Sequence, residues 1–244
     1  MWLLGYPEAA GADIEAALKN ARDSGHAATL MYALFNATRI NIYFGNHSRA
    51  NEFGAELVVL ADEKRSPNWK ALATINKGLA LAVNGNELDA IKMFTSGMAA
   101  YQSIGSTLFG SQHLSYLASA YAEVSQFEEA WRCISESMTA IETTKESWYD
   151  AEVNRVAGEI ALKSPKPDAA KAQACFERAL SVARQQQAKS WELRAAMSMA
   201  RLWRDQGKVQ QARELLAPVY GWFTEGFDTR DLKEAKALLD ELAA

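Results

Sequence analysis

The sequence predicts an all-α protein, a right-handed α-solenoid of antiparallel helix pairs repeating about every 40 residues. Three registers carry that prediction. Ala10, Ala50, Ala90, Ala130, Ala172 and Ala212 are spaced by 40, 40, 40, 42 and 40 residues. Thr38, Gly78, Ala118, Gly158 and Ala200 precede the last five of them by 12, 12, 12, 14 and 12. Gly5, Gly45, Gly85, Ser125 and Gly207 lie five residues before most of the alanines. A fixed period of this length marks units that bury their apolar faces only against neighbours, which yields an extended binding surface rather than a catalytic cleft.

The helices follow from apolar spacing and from the breakers between them. A partial unit covers Pro7–Ser24. Pairs follow at His26–Phe44 with Ser48–Lys64, and at Asn68–Val83 with Glu87–Ile104. Leu108–Val124 pairs with Phe127–Thr143, Ser147–Leu162 with Pro167–Gln187, and Ser190–Gln206 with Val209–Phe223. Leu114, Leu117, Ala118 and Tyr121 form an i, i+3, i+4, i+7 stripe, as do Phe176, Ala179, Leu180 and Ala183. Gly45-Asn46, Gly85-Asn86, Pro165-Lys166-Pro167 and Gly207-Lys208 supply the turns, and Asn46 and Asn86 are positioned to cap the helices they precede. The small residues allow the two axes of a pair to approach. Gly78, Ala118, Gly158 and Ala200 face Ala90, Ala130, Ala172 and Ala212, while Phe94, Ile134, Phe176 and Leu216 fill the space toward the next unit. The resulting division is one solenoid over 1–244. It has a partial unit at 1–25, repeats at 26–66, 67–106, 107–145, 146–188 and 189–224, and a capping helix at 229–244.

The two ends read differently. Gly226 breaks the fifth pair and Asp228 is placed to cap a last amphipathic helix, Asp231–Leu242. At the other end Gly5 and Ala10 hold the register of Gly45 and Ala50, so the chain starts at the turn inside a repeat. Trp2, Leu3 and Leu4 are then expected to be poorly covered. Weak self-association through that N-terminal edge follows from the exposed apolar residues.

Composition narrows the classes of function. The 244 residues are 49% apolar with five prolines, enough for a packed core. A net charge of −4 gives no support to nucleic-acid binding. No apolar run approaches 18 residues, so no membrane span is expected, and Met1-Trp2-Leu3-Leu4-Gly5 lacks the basic region of a signal peptide. Cys133 and Cys175 lack metal-ligand spacing and are expected to be buried thiols of a cytoplasmic protein. No phosphate-binding loop, nucleophile elbow or H-E-x-x-H motif occurs. His26, His47 and His113 fall near helix starts, where solvated or capping roles are expected. No catalytic residue, metal or cofactor is therefore expected.

The spacing resembles tetratricopeptide repeats, in which a small residue on the first helix precedes an alanine on the second by 12 positions. The unit here is longer than that family's usual ~34 residues. Its first bulky position falls on Leu34, Thr74, Leu114, Asn154 and Ala196, so the aromatic marks are mostly missing. A closer resemblance lies at Ala188–Ala196, Ala200–Leu202, Asp205–Lys208 and Leu216–Thr229, with Leu4–Ala10 similar to an internal segment. These stretches resemble the C-terminal repeat region of large bacterial signalling ATPases. There, a class III adenylate/guanylate cyclase-like or winged-helix domain and an AAA-type ATPase precede the repeats. The resemblance implies a module of a larger protein; the ATPase and cyclase motifs are absent from this chain.

First-helix positions six and three before, and one after, the small residue should line the concave face. They give Tyr32, Phe35 and Arg39; Leu72, Ile75 and Leu79; Gln112, Ser115 and Ser119; Glu152, Arg155 and Glu159; and Arg194, Met197 and Arg201, with Arg204 one turn on. The first half is apolar and aromatic, the second charged. Arg194, Arg201 and Arg204 form one stripe suited to carboxylates or phosphates. An extended peptide with an apolar and an acidic end matches such a groove. The alternative is that these arginines pair with local acids such as Glu159 and Asp205. The expected function is a non-catalytic interaction module holding a protein, a peptide or the parent's own ATPase or output domain. A repeat domain that senses a small molecule or signal peptide is the alternative.

Overall fold

A computed structural model describes residues 1–243; Ala244, the end of the expected 229–244 cap, lies outside the described residues. A single 3₁₀ turn, Trp2–Leu4, precedes twelve helices. They are α1 (Pro7–Ser24), α2 (Ala27–Phe44), α3 (His47–Glu63), α4 (Pro67–Val83), α5 (Glu87–Ser103) and α6 (Gly110–Glu123). They continue as α7 (Phe127–Thr144), α8 (Asp150–Lys163), α9 (Ala169–Gln185), α10 (Lys189–Asp205), α11 (Val209–Tyr220) and α12 (Arg230–Glu241). No strand occurs among the described residues. The α-solenoid architecture is as the period requires: each even-numbered helix through α10 pairs with the next odd one and also meets the even helix of the following unit.

The small-residue crossings work as steric gates. Ala90, Ala130, Ala172 and Ala212 are fully buried. A Cβ on Gly78 would stand 2.9 Å from Phe94 Cδ1 and 3.2 Å from the Ala90 carbonyl. At Gly158 it would meet Phe176 Cε1 at 2.4 Å. Phe94 and Phe176 thus occupy the space their own partner helix vacates, and also reach the next unit: Phe94 lies 5.8 Å from the Tyr116 ring, and Phe176 clusters with Met199 and Leu202.

Helix starts follow the sequence in part. The Asn46 side chain accepts from the Arg49 amide (3.4 Å) and the His26 ring from the Thr29 amide (3.4 Å). Asn86 stands at the start of α5 without a side-chain capping bond. At α12 the cap position belongs to Thr229, not Asp228, and the Thr229 hydroxyl turns back to the Gly226 carbonyl (2.6 Å). Asp168, not singled out from the sequence, caps α9 through the Lys171 amide (2.9 Å).

The main departure from expectation is that the superhelix closes. The expected bare N-terminal edge is not there for Trp2, which is buried in the seam between α2 and α10. Its ring stacks on Tyr43 with centroids 4.4 Å apart and meets Trp191 edge-on at 5.0 Å. The Ser190 hydroxyl donates to the Trp2 carbonyl (2.6 Å). Leu3 is half-buried, while Leu4 stays exposed. One turn away, α1 and the segment before α12 exchange bonds: the Ala9 amide donates to Glu225 (3.1 Å) and the Gly226 amide to Glu8 (2.8 Å). A Cβ on Gly226 would stand 2.0 Å from Pro7 Cγ, so only glycine permits this approach. Helix α12 also touches α2, and the even-numbered helices from α2 to α12 form a closed wall. Local periodicity could not signal this, because the partners are about the whole chain apart in sequence.

Two outcomes follow. Gly158→Ala and Ala130→Leu should each overpack a crossing and cost on the order of 1–3 kcal/mol, read by urea unfolding; unchanged midpoints would contradict the close crossing. Replacing Glu8 and Glu225 together with alanine should raise hydrogen exchange at Ala9 and Gly226 while leaving α4–α7 protected. Uniform exchange in both forms would contradict the seam.

Candidate functional site: the enclosed concave wall

The even-numbered helices present one inner stripe each, and the surface they form carries two open cavities. The central cavity, about 360 Å³, is walled by the C-terminal parts of α2 and α4, the middle and C-terminal part of α6, the N-terminal parts of α8 and α12 and the middle of α10, with Glu87 and Phe94 of α5. An outer cavity of about 470 Å³ lies at the N-terminal ends of α2 and α4 and beside the loop before α6. Along α2, Tyr32 and Phe35 face the outer cavity, Ile42 and Tyr43 the central one, and Arg39 comes between them in sequence.

Of the residues expected on the concave face, Leu79, Ser115, Ser119, Glu152, Arg155, Arg194, Met197 and Arg201 line the central cavity. Tyr32, Phe35 and Leu72 line the outer one. Gln112 is buried behind the central wall, where its amide donates to the hydroxyls of Tyr43 (3.0 Å) and Tyr116. Tyr43 and Tyr116 share a further hydrogen bond of 2.7 Å. Arg204 lies outside both cavities. Sequence reasoning missed Tyr43, Tyr116, Tyr149 and Ser198 on the central wall, and Asp231 and Glu234 from α12. Tyr43, Tyr116 and Ser198 each follow an expected residue by four, one helical turn, which is the signal that could have found them. Burial pushes the Tyr116 and Tyr149 hydroxyls well above the ordinary tyrosine range, so both are neutral hydrogen-bonding groups.

The arginine stripe is charged as expected, yet each of its members has an acid beside it. Arg194 reaches Asp231 (2.8 Å) and Glu152 (3.3 Å), and its guanidinium lies 5.2–5.3 Å from the rings of Trp2, Tyr43 and Trp191. Arg201 pairs with Glu234 (3.3 Å), and Arg204 with Asp205 (3.0 Å) and Glu241 (2.7 Å). On α8, Arg155 holds Glu152 through two bonds (2.8 and 2.9 Å) and reaches Glu159 (3.4 Å), whose carboxylate accepts from Ser198 (2.6 Å). The pairing with Asp205 is the local one weighed from the sequence; Glu159 serves Arg155 instead. Burial raises the Glu152 carboxyl, and Arg155 and Arg194 outweigh it, leaving it lowered and ionised. Burial likewise opposes the Arg194 charge, and Asp231 and Glu152 reverse that, so its proton is held more tightly than usual.

Four arginines and five carboxylates line the central cavity, a nearly balanced wall. Ser115 belongs to its wall, with the hydroxyl buried and without a hydrogen-bond partner. Such a wall suits a ligand that is itself polar and close to neutral, because a net charge would have to displace existing pairs. Burial lifts the Cys133 thiol to about 11 and raises that of Cys175, so both free thiols are poor nucleophiles; Cys175 is only half-buried. No group of three or more His, Cys, Asp or Glu side chains gathers as a metal site among the described residues.

His113 departs from its expected solvated or capping role. It is 3% exposed, set against Tyr101 and Phe109, and burial with the Arg39 charge pushes its pKa down to about 3. It is a neutral part of the core.

No family model and no curated protein matches this sequence. Among solved structures the chain is similar to the apo form of RapI, with a TM-score of 0.66 and 14% identity over 93% of this chain and 76% of that one. It is similar to BtubC from P. vanneervenii, with a TM-score of 0.59 and 16% identity over 96% and 91%. It is also similar to a chain of the APC/C hetero-tetramer Cut9-Hcn1, with a TM-score of 0.63 and 16% identity over 99% of this chain and 48% of that one. RapI and Cut9-Hcn1 are tetratricopeptide-like helical repeat proteins, and at these identities the likeness is one of fold. No helix among the described residues is long and apolar enough to cross a membrane.

The buried histidine gives a pH signature. Unfolded, His113 takes its proton near its ordinary pKa of 6.5; folded, it resists until about pH 3. The unfolded state therefore binds more protons across that window, and stability must fall as pH drops from about 6.5 toward 3. His113→Gln should flatten that loss between pH 6.5 and 4 in urea titrations. Parallel slopes in the two proteins would contradict the neutral burial.

Proposed function

We propose that this chain is a non-catalytic protein-interaction module that holds a peptide or partner segment in its central channel. The observation that carries the reading is the closed wall of even-numbered helices around a polar, charge-paired cavity. A segment enters such a channel along the superhelix axis, where its backbone groups meet Ser119 and the arginines of the wall. The ring closure makes the units at 26–66, 67–106, 107–145, 146–188 and 189–224 one binding body with the 1–25 segment and the last helix. We read Arg155, Arg194, Met197 and Arg201 as the contact residues of the central cavity, and Tyr32, Phe35 and Arg39 as those of the outer end. Gln112 and Glu152 position the wall behind them, and Arg204 stands at its rim.

The C-terminal resemblance supports a place in a larger bacterial signalling ATPase or nucleotide cyclase, in the cytoplasm, with the parent's own ATPase or output domain as the partner. Weak self-association is kept for the apolar residues left exposed at the seam, Met1, Leu4 and Tyr6 beside Trp222. Nucleic acid and membrane are not proposed as partners.

A second reading rests on the size of the central cavity, about 360 Å³, which falls within the ~300–1,000 Å³ of small-molecule sites. Here a small ligand binds and stabilises the closed ring. One experiment separates the two. Wild-type chain should retain a specific protein from extracts of its source, and Arg201→Glu should lose most of it, because the substitution sets a second carboxylate against Glu234. Equal retention would remove the channel from the interaction. Melting-point shifts with a metabolite extract cleared of protein would instead favour the ligand reading, by mass action on the folded state.

A further inference from the structure

The charges of the central wall are matched in groups, and two places are left over. Arg155 and Arg194 are engaged by Glu152, Glu159 and Asp231, and Glu123 pairs with Lys163. Arg201 and Arg230 share a single carboxylate, Glu234, through one hydrogen bond each, of 3.3 and 2.8 Å. A guanidinium carries five N–H donors, so this pair keeps most of its donors and one of its two charges unmatched. Glu87, the first residue of α5, is half-buried and has neither an ion pair nor a hydrogen bond among the described residues. Arg201, Arg230 and Glu87 all line the one central cavity. Arg39 also lacks a carboxylate partner among the described residues, but it is held over the rings of Phe35, Phe109 and Trp148 and lines neither cavity.

Closure sets these groups apart. Helices α2, α4, α6, α8, α10 and α12 touch in ring order, with α12 back on α2, so α4 stands across the ring from α10. Glu87 joins the wall just past the end of α4, whereas Arg201 comes from α10 and Arg230 from the start of α12. Along the arc from α12 to Glu87, α2 and α4 contribute the apolar side chains of Ile42, Leu79 and Val83. A cation pair with charge to spare and a lone carboxylate therefore meet one cavity from different sides, with apolar surface between them.

We propose that the central cavity binds a small zwitterion whose ammonium and carboxylate groups are separated by an apolar chain. The ammonium meets Glu87, the carboxylate takes the remaining N–H groups of Arg201 and Arg230, and the chain lies along Ile42, Leu79 and Val83. Guanidinium donors in this number suit a carboxylate's two oxygens. An α-amino acid, with both charges on one carbon, does not span the ring; an ω-amino acid does. A ligand with one charge fills one place and leaves the other unmatched, whereas a zwitterion fills both and displaces no existing pair. This inference rests on the small-ligand reading above and names the chemical class of the ligand.

The test follows the melting temperature of the purified chain with ω-amino acids of increasing chain length, from glycine upward. Straight-chain alkylamines and alkanoic acids of the same lengths are measured beside them. Stabilisation should pass through a maximum at an intermediate length. The best amino acid should bind at least about tenfold more tightly than the amine or the acid of its length, the size of one charge-assisted hydrogen bond. Glu87→Gln should erase its advantage over the acid, and Arg201→Gln with Arg230→Gln its advantage over the amine. Because the series is measured on the wild-type chain, it stands even if a variant misfolds. No stabilisation along the series, no dependence on length, or amines and acids that stabilise as well as the amino acids would overturn the proposal. If a protein-free metabolite extract still raises the melting temperature in that case, the small-ligand reading survives and the zwitterion inference alone fails.

Discussion

Arg194 is where the superhelix closes, and the site depends on that closure. One guanidinium joins α8 through Glu152 and α12 through Asp231, and faces the rings of Trp2, Tyr43 and Trp191. Without it, two buried carboxylates from different helices would stand together with one fewer counter-charge, and α12 would keep only the Arg201–Glu234 and Arg204–Glu241 pairs to α10. Removing one partner of a buried pair is far more costly than the net worth of the pair, because the other charge stays desolvated. Here that asymmetry acts as a lock: the ring is favoured closed because every open form leaves a charge unpaired or an aromatic face bare.

The lock also decides what the channel offers a ligand. Arginines read as an anion-binding stripe are spent largely on internal pairs, leaving a wall of balanced charge, neutral tyrosines and serine hydroxyls. The unpaired cation lies elsewhere, at Arg39, and is stabilised by ring faces rather than by a carboxylate. The two ends of the concave surface therefore differ in chemistry as well as in place: the outer end is apolar with one free charge, the central part polar and self-neutralised.

The architecture was legible because its causes are local. Gly78 and Ala90, or Gly158 and Ala172, sit at fixed spacing because helix axes can cross closely only where both side chains are small, and that constraint repeats with the unit. The inner stripe was legible to within one turn: the positions around each small residue led to Ser115, Glu152, Arg155, Arg194 and Met197 but stopped short of Tyr43, Tyr116 and Ser198. What was not legible depends on distant pairs. Trp2 read as an uncovered end because its partners, Tyr43 and Trp191, lie far along the chain. Asp231 was not among the acids weighed as partners of Arg194, because it read as the first residue of the last helix, 37 positions away. His113 read as a helix-start residue because nothing in its neighbourhood reveals that Tyr101 and Phe109 enclose it.

Closure can be tested directly across the seam. A Cβ on Gly45 would lie 3.3 Å from Arg230 Cβ, close to the ~3.5–4.5 Å that a disulfide spans. The measurement is oxidation of a Gly45→Cys, Arg230→Cys chain, with Cys133 and Cys175 replaced by serine, followed by mass analysis of non-reduced peptides. An intramolecular link between positions 45 and 230 in the monomer is the predicted result. Free thiols at both positions after oxidation, or links only between separate chains, would mean that the solenoid is open and α12 does not meet α2.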